Sequence, residues 1–261
     1  MSERIRQAFG GTRRPGLVTY LMGGDPDLAA SLDLALACAR GGADLIELGM
    51  PFSDPIADGP VIQRASERAL KSGTTVAGVL ELAAQLCRQR PDLPLALMGY
   101  LNPVLAMGLD PFLARCAEAG VDAVILPDLP VEESAELRGL ARKRGVGTVF
   151  LIAPTSTPAR AQAALDASTA FAYFVSVTGV TGARAALPEE TAARLDALRR
   201  PSGPPVVVGF GVSTPEQVQA LGAHADGVVV GSAIVSRIAE PGTPAERAAR
   251  VEAFVRSLRT P

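Results

Sequence analysis

Two carboxylates stand eleven residues apart in the stretch ADLIELGMPFSDPIADGP, Ala43 to Pro60: Glu47 inside an apolar run and Asp58 in the turn that follows. The run from Asp44 to Met50 is closed by Pro51 and reads as a buried strand. An ionised carboxylate in such a strand is costly unless it is paired, or its pKa rises and it stays neutral. A carboxyl poised in that way can give and take protons near neutral pH. A structural, hydrogen-bonded glutamate fits the same pattern. Asp58, beside Gly59-Pro60, suits a turn and a helix start, and equally suits a place facing Glu47 across a ligand.

Raw material for other chemistries is scarce. The single histidine, His224, lies in the turn-like GAHADG, which leaves no basis for a histidine metal site or a Ser/His/Asp triad. The two lysines, Lys71 and Lys143, fall in or at the ends of helical patterns, away from the strand ends where a Schiff-base lysine would act. Cys38, Cys87 and Cys116 sit in separate helix-like stretches without metal or CxxC spacing and read as buried, inert thiols. Acid-base work is left to carboxylates, tyrosine or backbone.

With 25 Lys+Arg against 27 Asp+Glu, a net charge of -2 and 48% hydrophobic residues, the chain has an ordinary globular balance. It offers neither a basic stripe for nucleic acid nor a polybasic membrane surface. Met1 to Gly11 has no apolar run of signal-peptide length, and no segment reaches the length of a membrane span. The expected location is the cytoplasm.

The elements that must position the carboxylates follow from periodicity. A short amphipathic start, Ser2 to Phe9, precedes a first strand at Gly16 to Met22 and a helix from Leu28 to Arg40. After the Glu47 strand come helices at Val61 to Lys71 and Val76 to Arg90, then a strand from Pro94 to Tyr100. The alternation continues with strands at Val121 to Leu126, Gly147 to Ala153, Phe171 to Val177, Pro205 to Val208 and Gly227 to Val230. Helices separate them at Pro111 to Ala119, Val131 to Arg144, Thr157 to Leu165, Pro188 to Arg199 and Thr214 to Leu221, and Ala245 to Leu258 closes the chain. About eight strand-helix units with apolar, β-branched strands predict one α/β domain over residues 1–261, a (β/α)8 TIM barrel with an N-terminal capping helix and extra short helices. An open doubly wound sheet is the alternative.

In such a barrel, function gathers at the strand C-termini. Strands seven and eight end in Val208-Gly209-Phe210-Gly211 and Val230-Gly231-Ser232-Ala233, where glycines admit a ligand close to backbone N–H groups and Ser232 starts a short helix. That is a phosphate site, or else simply tight barrel turns. The loop Thr178 to Leu187 carries two glycines and suits a lid or a tolerant surface loop. Tyr173 shares a strand face with Phe171 and Val175, as a core tyrosine or a site residue. Asp128 reads as a turn or capping residue and Asp54 as an exposed loop residue.

The stretch LIELGMPFSDPIADGPVIQ resembles the active-site signature of the tryptophan synthase alpha subunit family. YLMGGDP, LPDLPVEES, GVTGA, GFGVSTPEQV and VVGSAIV fall in that family's order, so the resemblance spans almost the whole chain. It implies a lyase that splits indole-3-glycerol phosphate into indole and glyceraldehyde 3-phosphate. Glu47 would be the acid-base catalyst and Asp58 the carboxylate that holds the indole N–H. Gly182, Gly211 and Ser232 would hold the phosphate, with Gly209, Phe210 and Gly231 shaping that site. Tyr173 would hydrogen-bond within the site, Thr181 would position Asp58 on lid closure, and Tyr20, Ile62 and Met98 would line the indole pocket. The family often has phenylalanine at the Tyr20 position and leucine or methionine at the Met98 position. The implied partner is a beta subunit that receives indole, contacted through Asp54 and its loop. Pyridoxal phosphate would belong to that partner, with no cofactor or metal in this chain. A stand-alone lyase releasing free indole, and a non-catalytic allosteric subunit, are the alternatives.

Overall fold

Valine, isoleucine and leucine dominate eight short runs, and a run buried on both faces must pair edge to edge with helices covering its outside. The computed structural model, which describes residues 2–10, 15–175, 187–200, 202–209 and 211–259, has that architecture. In chain order it comprises α1 (Glu3–Phe9), β1 (Gly16–Met22), α2 (Leu28–Gly41), β2 (Leu45–Gly49), α3 (Pro60–Lys71), α4 (Val76–Gln89) and β3 (Leu95–Met98). Then follow α5 (Leu101–Met107), α6 (Leu109–Ala119), β4 (Ala123–Ile125), α7 (Ala135–Arg144), β5 (Gly147–Ile152), α8 (Pro158–Ala167) and β6 (Ala172–Val175). The last elements are α9 (Glu189–Leu198), β7 (Val206–Gly209), α10 (Pro215–Gly222), β8 (Gly227–Val230), α11 (Ser232–Ala239) and α12 (Pro244–Ser257).

All strands are parallel and pair in chain order, and β1 also pairs with β8 through Gly16↔Gly227 to Thr19↔Val230. The sheet is therefore a closed barrel, and the open-sheet alternative falls. Strand alternation splits the apolar residues between two cores. Ile46, Leu48, Leu97 and Val208 pack outward under the helices, while Val18, Tyr20, Ala96, Ile125, Phe171, Tyr173 and Val207 fill the interior. No helix among the described residues is long and apolar enough to cross a membrane. Burial pushes the Cys38 and Cys116 thiols up to about 12, which suits inert core residues.

The helical detail departs from the periodic reading at two places. A helix that the pattern did not reveal, α5, begins right after Tyr100; Asp128 caps it, both carboxylate oxygens accepting the Leu101 N–H at 3.0 Å. The stretch from Val131 to Arg144 divides at Ser134 into a 3-10 turn, Val131–Glu133, and α7. The Ser134 hydroxyl bonds back to the Val131 carbonyl at 2.7 Å, a local bond that competes with continuous helix.

The barrel floor carries a repeated device. Asp44, Asp122 and Asp226 immediately precede β2, β4 and β8, and their carboxylates accept the N–H groups of Leu17, Leu95 and Val206 on the preceding strands at 2.8, 2.9 and 2.8 Å. Each also meets an arginine: Arg259, Arg4 and Arg199 respectively. Arg4 belongs to α1, so its 3.0 Å ion pair with Asp122 latches the capping helix beneath β4. Arg4→Ala is expected to cost about 2 kcal/mol in chemical denaturation, because Asp122 is buried and loses its counter-charge. The opposite, catalytic end should keep its turnover.

Candidate active site

Glu47 reaches the barrel interior because β2 alternates: Leu45 belongs to the inner core, whereas Ile46 and Leu48 belong to the outer one. Its register partners are Tyr20 on β1 and Ala96 on β3, and Ala96 in turn faces Ala123 on β4. On that side of Glu47 the barrel wall therefore presents only methyl side chains. Glu47 is 1% exposed, and its Oε2 has no hydrogen-bond partner among the described residues. Burial, and secondarily the charge of Asp58, push its pKa up to about 8.

Asp58 sits half-buried in a turn whose Asp58 N–H bonds to the Pro55 carbonyl at 3.1 Å, just before Gly59 and Pro60 start α3. The Gln63 side chain donates to its carbonyl at 2.9 Å and fixes the turn to the helix. Burial lifts the Asp58 pKa to about 6, opposed by the nearby Tyr100 hydroxyl. That hydroxyl also accepts the Ala57 N–H at 3.0 Å. Near pH 7 the pair is thus offset, Glu47 neutral and Asp58 ionised, which is the arrangement of a proton donor beside a fixed anion.

The chain's three tyrosines converge on these carboxylates. Tyr20 and Tyr173 are buried, and burial followed by the charges of Asp58 and Glu47 raises both phenols well above their usual pKa. Their hydroxyls lean over glycines at the strand ends. A Cβ on Gly49 would lie 2.3 Å from the Tyr20 Oη, and one on Gly209 would lie 2.6 Å from the Tyr173 Oη. Met98 and Ile62 pack against the same inner core, giving the mouth an apolar wall. On the far side, Gly211 has φ +74° in the turn after β7. Gly231 and Ser232 open α11 directly after β8; the Ile234 and Val235 N–H groups bond to the Gly231 carbonyl, and those of Ser232 and Ala233, the first two of the helix, have no intrahelical acceptor. Thr181, Gly182, Phe210 and the expected lid over residues 178–186 lie outside the described residues.

The described residues therefore bring Glu47, Asp58, Tyr20, Tyr173, Ile62, Met98, Gly209, Gly211, Gly231 and Ser232 to one end of the barrel. Tyr100 is the residue that sequence reasoning passed over. Its signal was available, since it is a polar side chain at the C-terminal end of a predicted strand. Among the described residues no group of three or more His, Cys, Asp or Glu is disposed to hold a metal.

A protein-family model described as the tryptophan synthase alpha chain matches residues 8–260. The chain belongs to the tryptophan synthase alpha chain family. A curated tryptophan synthase alpha chain of Geobacter sulfurreducens is 49% identical over 246 residues, covering 94% of this chain and 92% of that relative. Among solved structures, a protein of Aquifex aeolicus VF5 superposes with a TM-score of 0.88 at 40% identity, covering 99% of this chain and 98% of the other. A chain of the tryptophan synthase complex of Pyrococcus furiosus gives a TM-score of 0.85 at 38% identity over 94% of this chain and 97% of its own. In this alpha-family chain the signature from Leu45 to Gln63 maps onto β2, the Asp58 turn and the start of α3. The motif is thus one continuous piece of the barrel mouth.

Proposed function

We infer that this chain is the lyase subunit of a tryptophan synthase, cleaving indole-3-glycerol phosphate to indole and glyceraldehyde 3-phosphate by a retro-aldol reaction. The observation that carries the reading is a carboxyl buried in the barrel interior, Glu47, whose Oε2 has no hydrogen-bond partner among the described residues, at the same end of the barrel as the half-buried carboxyl of Asp58. In the proposed sequence the Glu47 carboxyl protonates the ring carbon that bears the side chain, and positive charge develops at the ring nitrogen. Asp58 accepts the ring N–H and stabilises that charge more in the transition state than in the ground state. The resulting Glu47 carboxylate then removes the proton from the hydroxyl beside the ring. The carbon–carbon bond breaks, its electrons restore the aromatic ring, the hydroxyl carbon becomes the aldehyde, and Glu47 ends protonated as it began.

Tyr20, Ile62 and Met98 form the apolar wall for the indole in this reading, and Tyr173 is a hydrogen-bonding partner within the site. The phosphate is assigned to Gly182, Gly211 and Ser232, shaped by Gly209, Phe210 and Gly231, with Thr181 positioning Asp58. Support comes from the left-handed turn at Gly211 and from the start of α11, whose dipole and N–H groups favour an anion. The test is indole release from indole-3-glycerol phosphate by the purified chain. Turnover that Glu47→Gln removes supports the assignment, and unchanged turnover in that folded variant refutes it.

The family and the tryptophan synthase complex among the solved structures support a beta subunit as partner; pyridoxal phosphate is assigned to that subunit, and the acid-base steps to this chain's own residues. A cytoplasmic location goes with that biosynthetic role. Two large apolar side chains lie exposed on elements at the barrel mouth: Ile56, 84% exposed in the loop before Asp58, and Leu105, 53% exposed on α5. With the exposed Asp54 they mark the face proposed to meet the beta subunit. Leu105→Asp is expected to weaken association with a beta subunit by about tenfold or more, measured by calorimetric titration, and to leave the isolated chain's turnover near normal.

A further inference from the structure

The β2–α3 loop that carries Asp58 is tied down from an unexpected place. Ser66 lies on α3, buried at 1% exposure, where a serine hydroxyl would ordinarily bond back to its own helix. Instead its Oγ accepts the Phe52 N–H at 2.8 Å and donates to the Phe52 carbonyl at 2.8 Å. One hydroxyl thus holds both polar atoms of one loop residue, fixing its backbone in position and in orientation. The Phe52 ring packs against the Tyr100 ring, with centroids 5.4 Å apart and planes at 32°. Tyr100 in turn accepts the N–H of Ala57, the residue before Asp58, at 3.0 Å. A continuous set of contacts runs from Ser66 through Phe52 and Tyr100 to Ala57, the backbone neighbour of Asp58. The segment between these tethers, Ser53 to Ile56, is mostly exposed and does not hold the loop itself.

We propose that Ser66 is a positioning residue for the cleavage reaction: by pinning Phe52 it braces Tyr100, and Tyr100 holds the Ala57 backbone, and with it Asp58, where the carboxylate meets the ring nitrogen. This rests on the role given to Asp58 above. Ser66 touches no substrate; it acts through the loop. A carboxylate meant to stabilise charge in the transition state must already be in place, since small displacements of such groups cost rate more than affinity.

The experiment compares indole release by Ser66→Ala, Ser66→Thr, Tyr100→Phe and the Ser66→Ala/Tyr100→Phe pair over a pH series, together with their melting temperatures. Ser66→Ala is expected to lower kcat by about tenfold and to change KM by less than about threefold. Its acidic limb should move to higher pH, because the Tyr100 hydroxyl, whose presence favours ionised Asp58, is no longer held near it. Ser66→Thr, which keeps the hydroxyl, should restore most of the rate. In the Tyr100→Phe background, Ser66→Ala should cost little more, as expected for groups acting in series. If Ser66→Ala only lowers the melting temperature, with kinetics and pH profile unchanged, the proposal is overturned. Full additivity with Tyr100→Phe overturns it as well. Should Ser66→Ala be too unstable to assay, Ser66→Cys, close in size and weaker in hydrogen bonding, is expected to show the same losses in smaller degree, and normal kinetics there would overturn the proposal. Asp58→Asn is assayed alongside: if it keeps native turnover, the role of Asp58 itself fails, whatever the Ser66 variants do.

Discussion

Glu47→Gln is expected to reduce indole release by about a thousandfold or more, the scale on which a positioned acid-base group contributes. The amide matches the shape of the carboxyl but neither donates nor accepts the transferred proton. The same position should reveal a cost in stability. The folded-state pKa of Glu47 is raised from 4.5 to about 8, so its favourable contribution is complete below about pH 4.5 and is lost as pH rises through 8. Above pH 8 the charge is buried without a counter-ion, a penalty of roughly 5 kcal/mol. Glu47→Met should therefore be inactive yet more stable than the native chain, with the gain growing from pH 5 to pH 9. Thermal unfolding across that range checks the sign. A variant that is both inactive and destabilised at pH 9 contradicts the view that this carboxyl is kept for chemistry at the expense of stability.

Asp58→Asn is the second large effect: kcat is expected to fall by about a hundredfold, with KM raised less, because the lost charge acts chiefly on the cationic transition state. In the native chain kcat/KM should be bell-shaped, since it reports groups of the free enzyme. The acidic limb near pH 6 follows Asp58, which must be ionised, and the alkaline limb near pH 8 follows Glu47, which must be protonated. Because the two groups interact, these are apparent values of the pair. Asp58→Asn should remove the acidic limb and move the alkaline limb to lower pH, as the neighbouring negative charge that raises Glu47 is gone. A bell with the limbs unmoved in that variant would assign the acidic group elsewhere.

Much of this was legible in the residues themselves. The barrel followed from eight apolar, β-branched runs at steady spacing, and β1 and β8 lie where the patterning put them. Glu47 stood out because a charge in an apolar strand is anomalous, and the absence of other acid-base residues narrowed its use. Asp58 was ambiguous from its own residues, since Asp-Gly-Pro is ordinary turn chemistry; only its electrostatic influence on Glu47 and the Tyr100 bond to the preceding Ala57 separate it from a cap.

What stayed hidden were interactions that join residues far apart in the chain. Nothing in the ten residues around Ser66 announces a bond to Phe52, because a helical serine looks the same whichever way its hydroxyl points. The floor latches are of the same kind, pairing Arg4 with Asp122 and Arg259 with Asp44, residues 118 and 215 positions apart in the chain. Helix α5 escaped because Asn102-Pro103 disguises its first turn, and its cap comes from Asp128, more than twenty residues downstream.

The central claim is geometric: one ligand at the barrel mouth lies between a neutral Glu47 and a charged Asp58. The most direct measurement is a crystal structure of the chain with an unreactive substrate analogue lacking the hydroxyl beside the ring. The account predicts the ring N–H within hydrogen-bond distance of the Asp58 carboxylate, the substituted ring carbon over the Glu47 carboxyl, and the phosphate between Gly211 and the start of α11 at Ser232. A ring turned so that its nitrogen points away from Asp58, or a phosphate bound elsewhere, would contradict it.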